Sequence, residues 1–443
     1  MTGTDTKPWT NWANTHSCKP LAIDSPAGEE QIIAAVRTAY AAGEEVKVVG
    51  SGHSFTDIAC TQGRMISLAQ HNRVLDVDIS TGLVTVEAGI SLRSLNEELA
   101  RNGLALQNLG DIAYQSIAGA ISTATHGTGA RFGGLATQVR GLELITADGA
   151  NLRCSAEERP EIFTSARVSL GALGVISTVT LQCVPAFNLH AVDFPMKLDD
   201  CLTQLDEFID TNEHFEFWWF PHTDGAYVRT NNRTDAPPAP KSEARRWFDD
   251  IFLSNYVFGL SCRIGRKWPS TIPRLNRVVH SALGKVELVD RSDRVFTSPR
   301  LVRFAEMEYA IPRALAADAL REVRQLIERR GFRVSFIVEV RFVAPDDIPL
   351  STAYDQETAY IAVHMFEGTE YEEYFRAVEQ IMDAYGGRPH WGKLHFQTAE
   401  TLRPRYPEWD RFLTVREECD PERRFSNSYL DRVLGDMPIT SMS

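Results

Sequence analysis

Residues 46–60 read V-K-V-V-G-S-G-H-S-F-T-D-I-A-C, where a β-branched run (Val46, Val48, Val49) leads into Gly50, Ser51, Gly52, His53 and Ser54. Glycines on either side of a serine free consecutive backbone N–H groups to wrap an anion such as a pyrophosphate. His53 then presents an imidazole at the mouth of that nest. A nicotinamide-dinucleotide fingerprint needs a third glycine, an immediate helix and an acidic residue about 20 positions on. His-Ser-Phe follows instead, which disfavours that class. Taken alone, the loop could equally be an ordinary tight turn.

Residues 116–134, S-I-A-G-A-I-S-T-A-T-H-G-T-G-A-R-F-G-G, carry only Ile117, Ile121 and Phe132 as large apolar groups. A core strand or helix would hold Leu, Val or Phe at regular spacing. The segment is therefore expected to let backbone approach something large and flat, with Ser116, Thr123, Thr125 and His126 offering hydrogen bonds. Ala and Ile interrupt the polar residues, so a flexible Gly/Ser linker is the poorer reading.

Further on, strand alternation gathers charge. In V-S-F-I-V-E-V-R-F, Val338, Val340 and Phe342 point one way and Glu339 and Arg341 the other. In T-A-Y-I-A-V-H-M-F, Tyr360, Ala362 and His364 share a face, and in P-H-W-G-K-L-H-F so do Trp391, Lys393 and His395. Three strands of one sheet would converge Glu, Arg, His and Lys on one surface. The bland alternative is a solvated salt-bridge ladder.

The motifs G-S-G-H-S-F and S-T-A-T-H-G-T-G, with G-G-R-P-H-W-G-K at 386–393, resemble the sugar-lactone oxidase branch of the vanillyl-alcohol-oxidase-type flavoproteins. The likeness runs from N-W-A at Asn11 through N-R-V-L-D-V-D, W-F-P-H-T and V-E-V-R-F to D-P-E-R-R-F-S-N-S-Y-L near the C-terminus. It implies an α+β architecture in which 1–185 form a two-part FAD-binding domain. Residues 186–420 would form a substrate (cap) domain with a ferredoxin-like antiparallel sheet, and 421–443 would return to the FAD-binding domain.

The same resemblance implies FAD, bonded through its 8α-methyl to His53. An electron-withdrawing imidazole there favours hydride uptake. Gly50, Ser51, Gly52, Ser54, Gly110, Asp111, Ser116, Gly119, Thr123, Thr125, His126, Gly174 and Ile176 would lie against the cofactor. Lys393 matches a family lysine whose charge stabilises the anionic reduced ring. Glu339 and Arg341 match an E-x-R pair that meets substrate oxygens, Arg341 by its fork of donors. His364 is either a further catalytic group or a structural histidine.

The implied reaction is oxidation of the C2 alcohol of an L-gulono- or D-arabinono-1,4-lactone. The alternatives are an alditol oxidase acting at C1 of an open-chain polyol, a lactone dehydrogenase using a quinone or cytochrome, and a non-catalytic flavin carrier. Gly110 stands where electron-carrier-dependent plant relatives have Ala, and the missing methyl favours oxygen as the acceptor. Asp111 departs from the Ser of alditol oxidase, and a carboxylate there could select another substrate.

The elements that must position these groups follow from period and punctuation. Ser25-Pro26 is expected to open a helix with Ile32, Ile33, Val36 and Tyr40 on one face, closed by Gly43. Residues 74–78 and 84–88 read as a hairpin, Ser91 caps a helix that ends at Gly103, and 137–149 and 175–184 supply strands. The Pro-rich stretch 235–240 reads as a loop. Residues 303–309, 313–330, 333–343, 358–366, 370–385 and 390–396 read β-α-β-β-α-β, the split motif of a ferredoxin-like sheet.

The 443 residues carry a net charge of −13 from 46 basic and 59 acidic residues with no basic run, which argues against a nucleic-acid partner. Seven scattered cysteines lack metal spacing and suit a reducing, cytoplasmic compartment. No metal site is expected, and His71, His190, His214, His222 and His280 read as structural. The start M-T-G-T-D-T-K has no secretory apolar core. The apolar stretches 168–184 and 251–262 fall short of the roughly 20 residues of a membrane span.

Overall fold

The structure, a computed structural model, describes residues 7–240, 242 and 255–435. β1 (Ala22–Asp24), α1 (Glu29–Ala42), β2 (Val46–Val49) and β3 (Arg64–Ser67) form a small parallel sheet of order β1-β3-β2. Ile32, Val36 and Ala39 recur on the buried face of α1, and Gly43 ends it in the left-handed region at φ 67°. The helix begins later than Ser25-Pro26, because Gly28 is extended and serves as its N-cap.

A second, five-stranded antiparallel sheet is built from β4 (Val74–Asp78), β5 (Leu83–Glu87), β6 (Val139–Ile145), β7 (Asn151–Ser155) and β8 (Val175–Gln182), in the order β7-β6-β8-β5-β4. The β4–β5 hairpin occurs as the alternation requires. Helix α2 (Leu92–Arg101) starts at Ser91, whose side chain accepts from the Ser94 amide. One element is unforeseen. Small residues do form a helix within 116–134, α3 (Ile117–Ser122), capped by Ser116. Tertiary packing overrides the weak pattern: Ile117 and Ile121 are fully buried. The smallness serves close approach, since a Cβ on Gly50 would lie 2.2 Å from the Ser116 hydroxyl.

The eight-stranded sheet comprises β9 (Asn188–Lys197), β10 (His214–Trp219), β11 (Gly225–Thr234), β12 (Val286–Arg291), β13 (Phe304–Pro312), β14 (Val338–Val343), β15 (Thr358–Phe366) and β16 (Arg388–Pro389). Its order is β12-β9-β11-β10-β14-β15-β13-β16. The run β13, α4 (Ala316–Arg330), β14, β15, α5 (Glu372–Ala384), β16 is the expected split motif, and β10, β11, β9 and β12 extend it past β14. Leu320, Val323 and Ile327 of α4 and Val378 and Met382 of α5 are buried in one apolar cluster with Met307, Val338, Val340 and Val363 of the sheet. The other face carries Glu339, Arg341, His364, Glu306 and Glu308 beside a small apolar cluster of Ala310, Val343 and Tyr360.

Two expectations in this region fail. The strand beginning at 333 starts only at Val338, and 390–396 is not a strand. Pairing stops at Pro389, and the backbone then turns. His390 N donates to Glu308 O, Lys393 N to His390 O, and Leu394 N to Glu306 O. The turn breaks the alternation that would put Trp391, Lys393 and His395 on one face. The Trp391 ring is instead buried, its Nε1 donating to Leu350 O at 2.7 Å, while His395 meets the Tyr429 hydroxyl at 3.1 Å.

The Pro-rich stretch 235–240 is a loop. Tyr429, Leu430 and Val433 near the C-terminus share an apolar cluster with Ile32, Val86 and Leu144. All seven cysteines are free thiols. Among the described residues, no helix is long and apolar enough to cross a membrane; of the stretch 251–262, residues 251–254 lie outside them.

Candidate active site

Two adjoining cavities hold the residues singled out by the sequence. The first is lined by Gly50, Ser51, Gly52, His53 and Ser54 at the end of β2, by Ser116, Gly119 and Thr123 around α3, and by Gly174 and Ile176 at the start of β8. Gly52 is left-handed at φ 68°, a conformation that favours glycine. Among the described residues, no backbone acceptor meets the amides of Ser51, Gly52, His53 or Ser54. The α3 end differs: the Ile117 and Ala118 amides already donate to Ile90 O and Ala88 O, and the Gly119 amide to the Ser116 hydroxyl. Anion-wrapping amides are thus supplied by the loop.

His53 stacks on Trp12 at a centroid distance of 5.6 Å, and its Nδ1 is buried with no partner. Burial, helped by the Lys393 charge, pushes its pKa down to about 4. A neutral ring with an orphaned nitrogen is the state a covalent bond to a cofactor requires. The glycine-lined cavity, the free amides and this nitrogen fit FAD.

The second cavity is lined by Gly110, Asp111, Thr125, His126, Glu339, Arg341, His364 and Lys393, and Gln115 lines both cavities. Strand register explains the convergence. Arg341 sits between Glu216 of β10 and Tyr360 of β15, Glu339 is opposite Ala362, and His364 is opposite Glu306 of β13. Arg341 Nε is 2.8 Å from Glu216 Oε2, and its Nη2 is 2.8 Å from Glu339 Oε1 and 3.6 Å from Asp111 Oδ2. Trp218 Nε1 also donates to Glu339 Oε1, at 2.7 Å.

One carboxylate organises two basic side chains. Glu306 pairs with Lys393 Nζ and lies 3.4 Å from His364 Nε2, while the other nitrogen of His364 meets Ile337 O at 3.0 Å. Burial opposes the charged forms of Lys393 and His364, but Glu306 outweighs it and both pKa values rise. Burial likewise opposes the charge on Glu308, yet His126, with Nε2 at 3.4 Å, holds it well below the carboxylate range. Asp111 is held low against burial by Arg300 and Arg341. Burial drives His390 down to about 3, and its Nδ1 accepts from the Gly392 amide.

Every cofactor or catalytic residue singled out by the sequence lines one of these cavities. The charged face is enclosed: Glu339 and Arg341 are only 7% and 6% exposed. Pattern reading also missed groups that the register brings in. Glu306 and Glu308 alternate with Met307 and Tyr309 just as Glu339 alternates with Val340, so the signal was present. Glu216, flanked by Phe215 and Phe217, carried it too. Arg300 had none, because it lies in an irregular stretch.

Two buried trios, His126/Glu308/His390 and Glu306/Glu339/His364, bring ligand atoms within 4.8 Å of one another. In both, the carboxylates already meet protein cations or donors. His390 also spends its Nδ1 lone pair on Gly392, which leaves its hydrogen on Nε2.

The whole architecture is that of the FAD-dependent vanillyl-alcohol-oxidase type. It superposes on a solvent-stable cholesterol oxidase with a TM-score of 0.83 over 96% of this chain and 97% of that one, at 17% identity, a likeness of fold alone. Residues 20–155 match the family profile described as FAD binding domain, and 179–433 that of D-arabinono-1,4-lactone oxidase. The chain belongs to the D-arabinono-1,4-lactone oxidase family, and its cofactor is FAD. It is 52% identical to an L-gulono-1,4-lactone dehydrogenase of Mycobacterium tuberculosis, over 96% of this chain and 99% of the relative. An L-gulonolactone oxidase of Bos taurus is 40% identical over 96% of this chain and 97% of its own length.

Proposed function

We propose that the protein oxidises the C2 alcohol of an L-gulono- or D-arabinono-type 1,4-lactone, with FAD bonded covalently to His53. The observation that carries the reading is the charged sheet face joined through Gln115 to a glycine-lined cavity that His53 lines, its Nδ1 without a protein partner. FAD supplies the hydride acceptor when bound. Lys393, kept charged by Glu306, meets negative charge that develops during the reaction. Among the described residues, Glu339 Oε2 has no protein donor within hydrogen-bond reach, so it can accept the substrate hydroxyl hydrogen while Oε1 is held by Trp218 and Arg341. Arg341 spends its Nε and Nη2 donors on Glu216 and Glu339 and thereby fixes Glu339. His364 shares Glu306 with Lys393 and sets that carboxylate between two basic side chains.

The test is anaerobic bleaching of the bound flavin by a panel of 1,4-lactones, with xylitol as the open-chain control. Rapid reduction by lactones and none by xylitol is expected. The reverse would make the protein an alditol oxidase, and no bleaching at all a flavin carrier.

For reoxidation, oxygen is the first reading, from Gly110. A specific observation favours an electron carrier instead. A Cβ on Gly110 would lie 3.0 Å from His126 O, a tight contact, so loop packing by itself disfavours a side chain there, and the 52% relative is named a dehydrogenase. Mixing the reduced enzyme with air-saturated buffer decides: fast reoxidation supports oxygen, and slow reoxidation that cytochrome c or a quinone dye accelerates supports a carrier.

The division into an FAD-binding part (1–185), a cap (186–420) and a returning segment (421–443) belongs to the same reading. Trp409 and Phe412 share the apolar cluster of the first part. A cytoplasmic location accords with the free thiols.

A further inference from the structure

The second cavity has a gradient of depth. At its floor, the side chains of Arg341 and Glu339 are 8% and 9% exposed; towards solvent, Asp111 and Arg300 form an ion pair with side chains 24% and 37% exposed. The pair joins two irregular segments, for Ser298 N also donates to Asp111 O at 3.0 Å. On the far side of 297–303, Asn255 Nδ2 donates to Pro299 O at 3.3 Å and Leu301 N to Asn255 Oδ1 at 2.8 Å. Arg300 is thus held over the cavity from both flanks.

The two arginines differ in what they have left to give. Arg341 is engaged by Glu216, Glu339 and Asp111. Arg300 meets Asp111 through Nη2 alone, and only Oδ2 of Asp111 is engaged by the two arginines. Among the described residues, no hydrogen bond within the protein engages Arg300 Nε and Nη1 or Asp111 Oδ1. An unengaged donor therefore stands beside an unengaged acceptor at the mouth.

In the five-membered ring of a 1,4-lactone, C2 and C4 flank C3 and are not adjacent. A lactone whose C2 hydroxyl meets Glu339 and Lys393 can therefore extend the tail on C4 towards Arg300 and Asp111 at the mouth. We propose that Arg300 and Asp111 are the subsite that binds the exocyclic vicinal diol of a six-carbon lactone, Arg300 donating to one hydroxyl and Asp111 accepting from the other. This rests on the lactone reading above. A polar site built for a hydroxyl discriminates strongly against an analogue that lacks it, because its own groups are left unpaired.

The experiment compares L-gulono-1,4-lactone with its 5,6-dideoxy counterpart, which lacks both hydroxyls of the diol, in wild type, Arg300→Met, Arg300→Lys and Asp111→Asn, by flavin reduction. Wild type should prefer the parent in kcat/KM by at least about tenfold, the scale of one hydrogen bond to a charged group. In Arg300→Met the preference should collapse towards unity, with the loss falling on KM more than on the limiting rate. Arg300→Lys should recover part of it. Perturbation of the oxidised flavin spectrum by each lactone gives the same comparison without turnover, and if Arg300→Met fails to fold, Asp111→Asn decides the matter. A preference that persists in the variants overturns the subsite and leaves the pair as a latch between two loops. If no lactone bleaches the wild-type flavin, the lactone reading itself falls, and this inference with it.

Discussion

His53 is chemically available because burial and a nearby cation act on one ring. Together they depress its pKa to about 4, and its Nδ1 has no partner to give up. Acid-precipitated protein should therefore stay yellow, and His53→Ala should release FAD into the supernatant; free FAD from the wild-type pellet would end the covalent claim. Lys393 is the second residue whose environment defines its work. Glu306 keeps its charge in a buried site, where a preorganised cation acts at little reorganisation cost. Lys393→Ala should slow flavin reduction about a hundredfold to a thousandfold, or roughly 2.7–4 kcal/mol, and weaken FAD binding far less. Unchanged reduction kinetics in rapid mixing would remove Lys393 from the mechanism.

At the scale of elements, the sheet face explains why Glu339 and Arg341 cannot be treated as surface groups. On an open cavity wall, replacing either would leave the melting temperature nearly unchanged. The register instead sets Glu216 directly across from Arg341 and brings Asp111 in from a loop, so one buried guanidinium is shared by Glu216, Glu339 and Asp111. Removing one partner of a buried pair typically costs about 3–5 kcal/mol, because the other charge is left uncompensated. Arg341→Ala should therefore lower stability by that order as well as impair turnover. Denaturant unfolding checks this, and an unshifted midpoint would show that solvent already screens the network.

For the whole molecule, acid sensitivity follows from histidines kept neutral. Burial depresses His214 to about 4 and His390 and His395 to about 3, against about 6.5 in an unfolded chain. The unfolded chain therefore binds protons first. Their contribution to stability is fully present above about pH 6.5 and is lost as pH falls towards 3–4, at up to about 1.4 kcal/mol per pH unit for each histidine. His364 runs the other way: its pKa is raised, so its contribution is present below about 6.5 and fades as pH rises through its folded value. Denaturant unfolding at pH 7 and pH 5 should show the protein less stable at pH 5. Equal or greater stability there would mean that these rings are solvated.

Local signals were enough for the nest at residues 50–54, the helix closed at Gly43, the hairpin of β4 and β5 and the split motif, because turn chemistry and side-chain period act between near neighbours. The same alternation placed Glu339, Arg341 and His364 on one face, and the motif resemblance supplied the proposed FAD contacts. Tertiary structure alone decided the rest. The turn after Pro389 that carries Lys393 away from Trp391 depends on hydrogen bonds to the backbone of β13. Arg300 reaches the cavity only because Asp111 and Asn255 hold its segment. Whether a charged face is solvated or sealed depends on what packs against it, and pairings between residues far apart in sequence leave no period for a single strand to display.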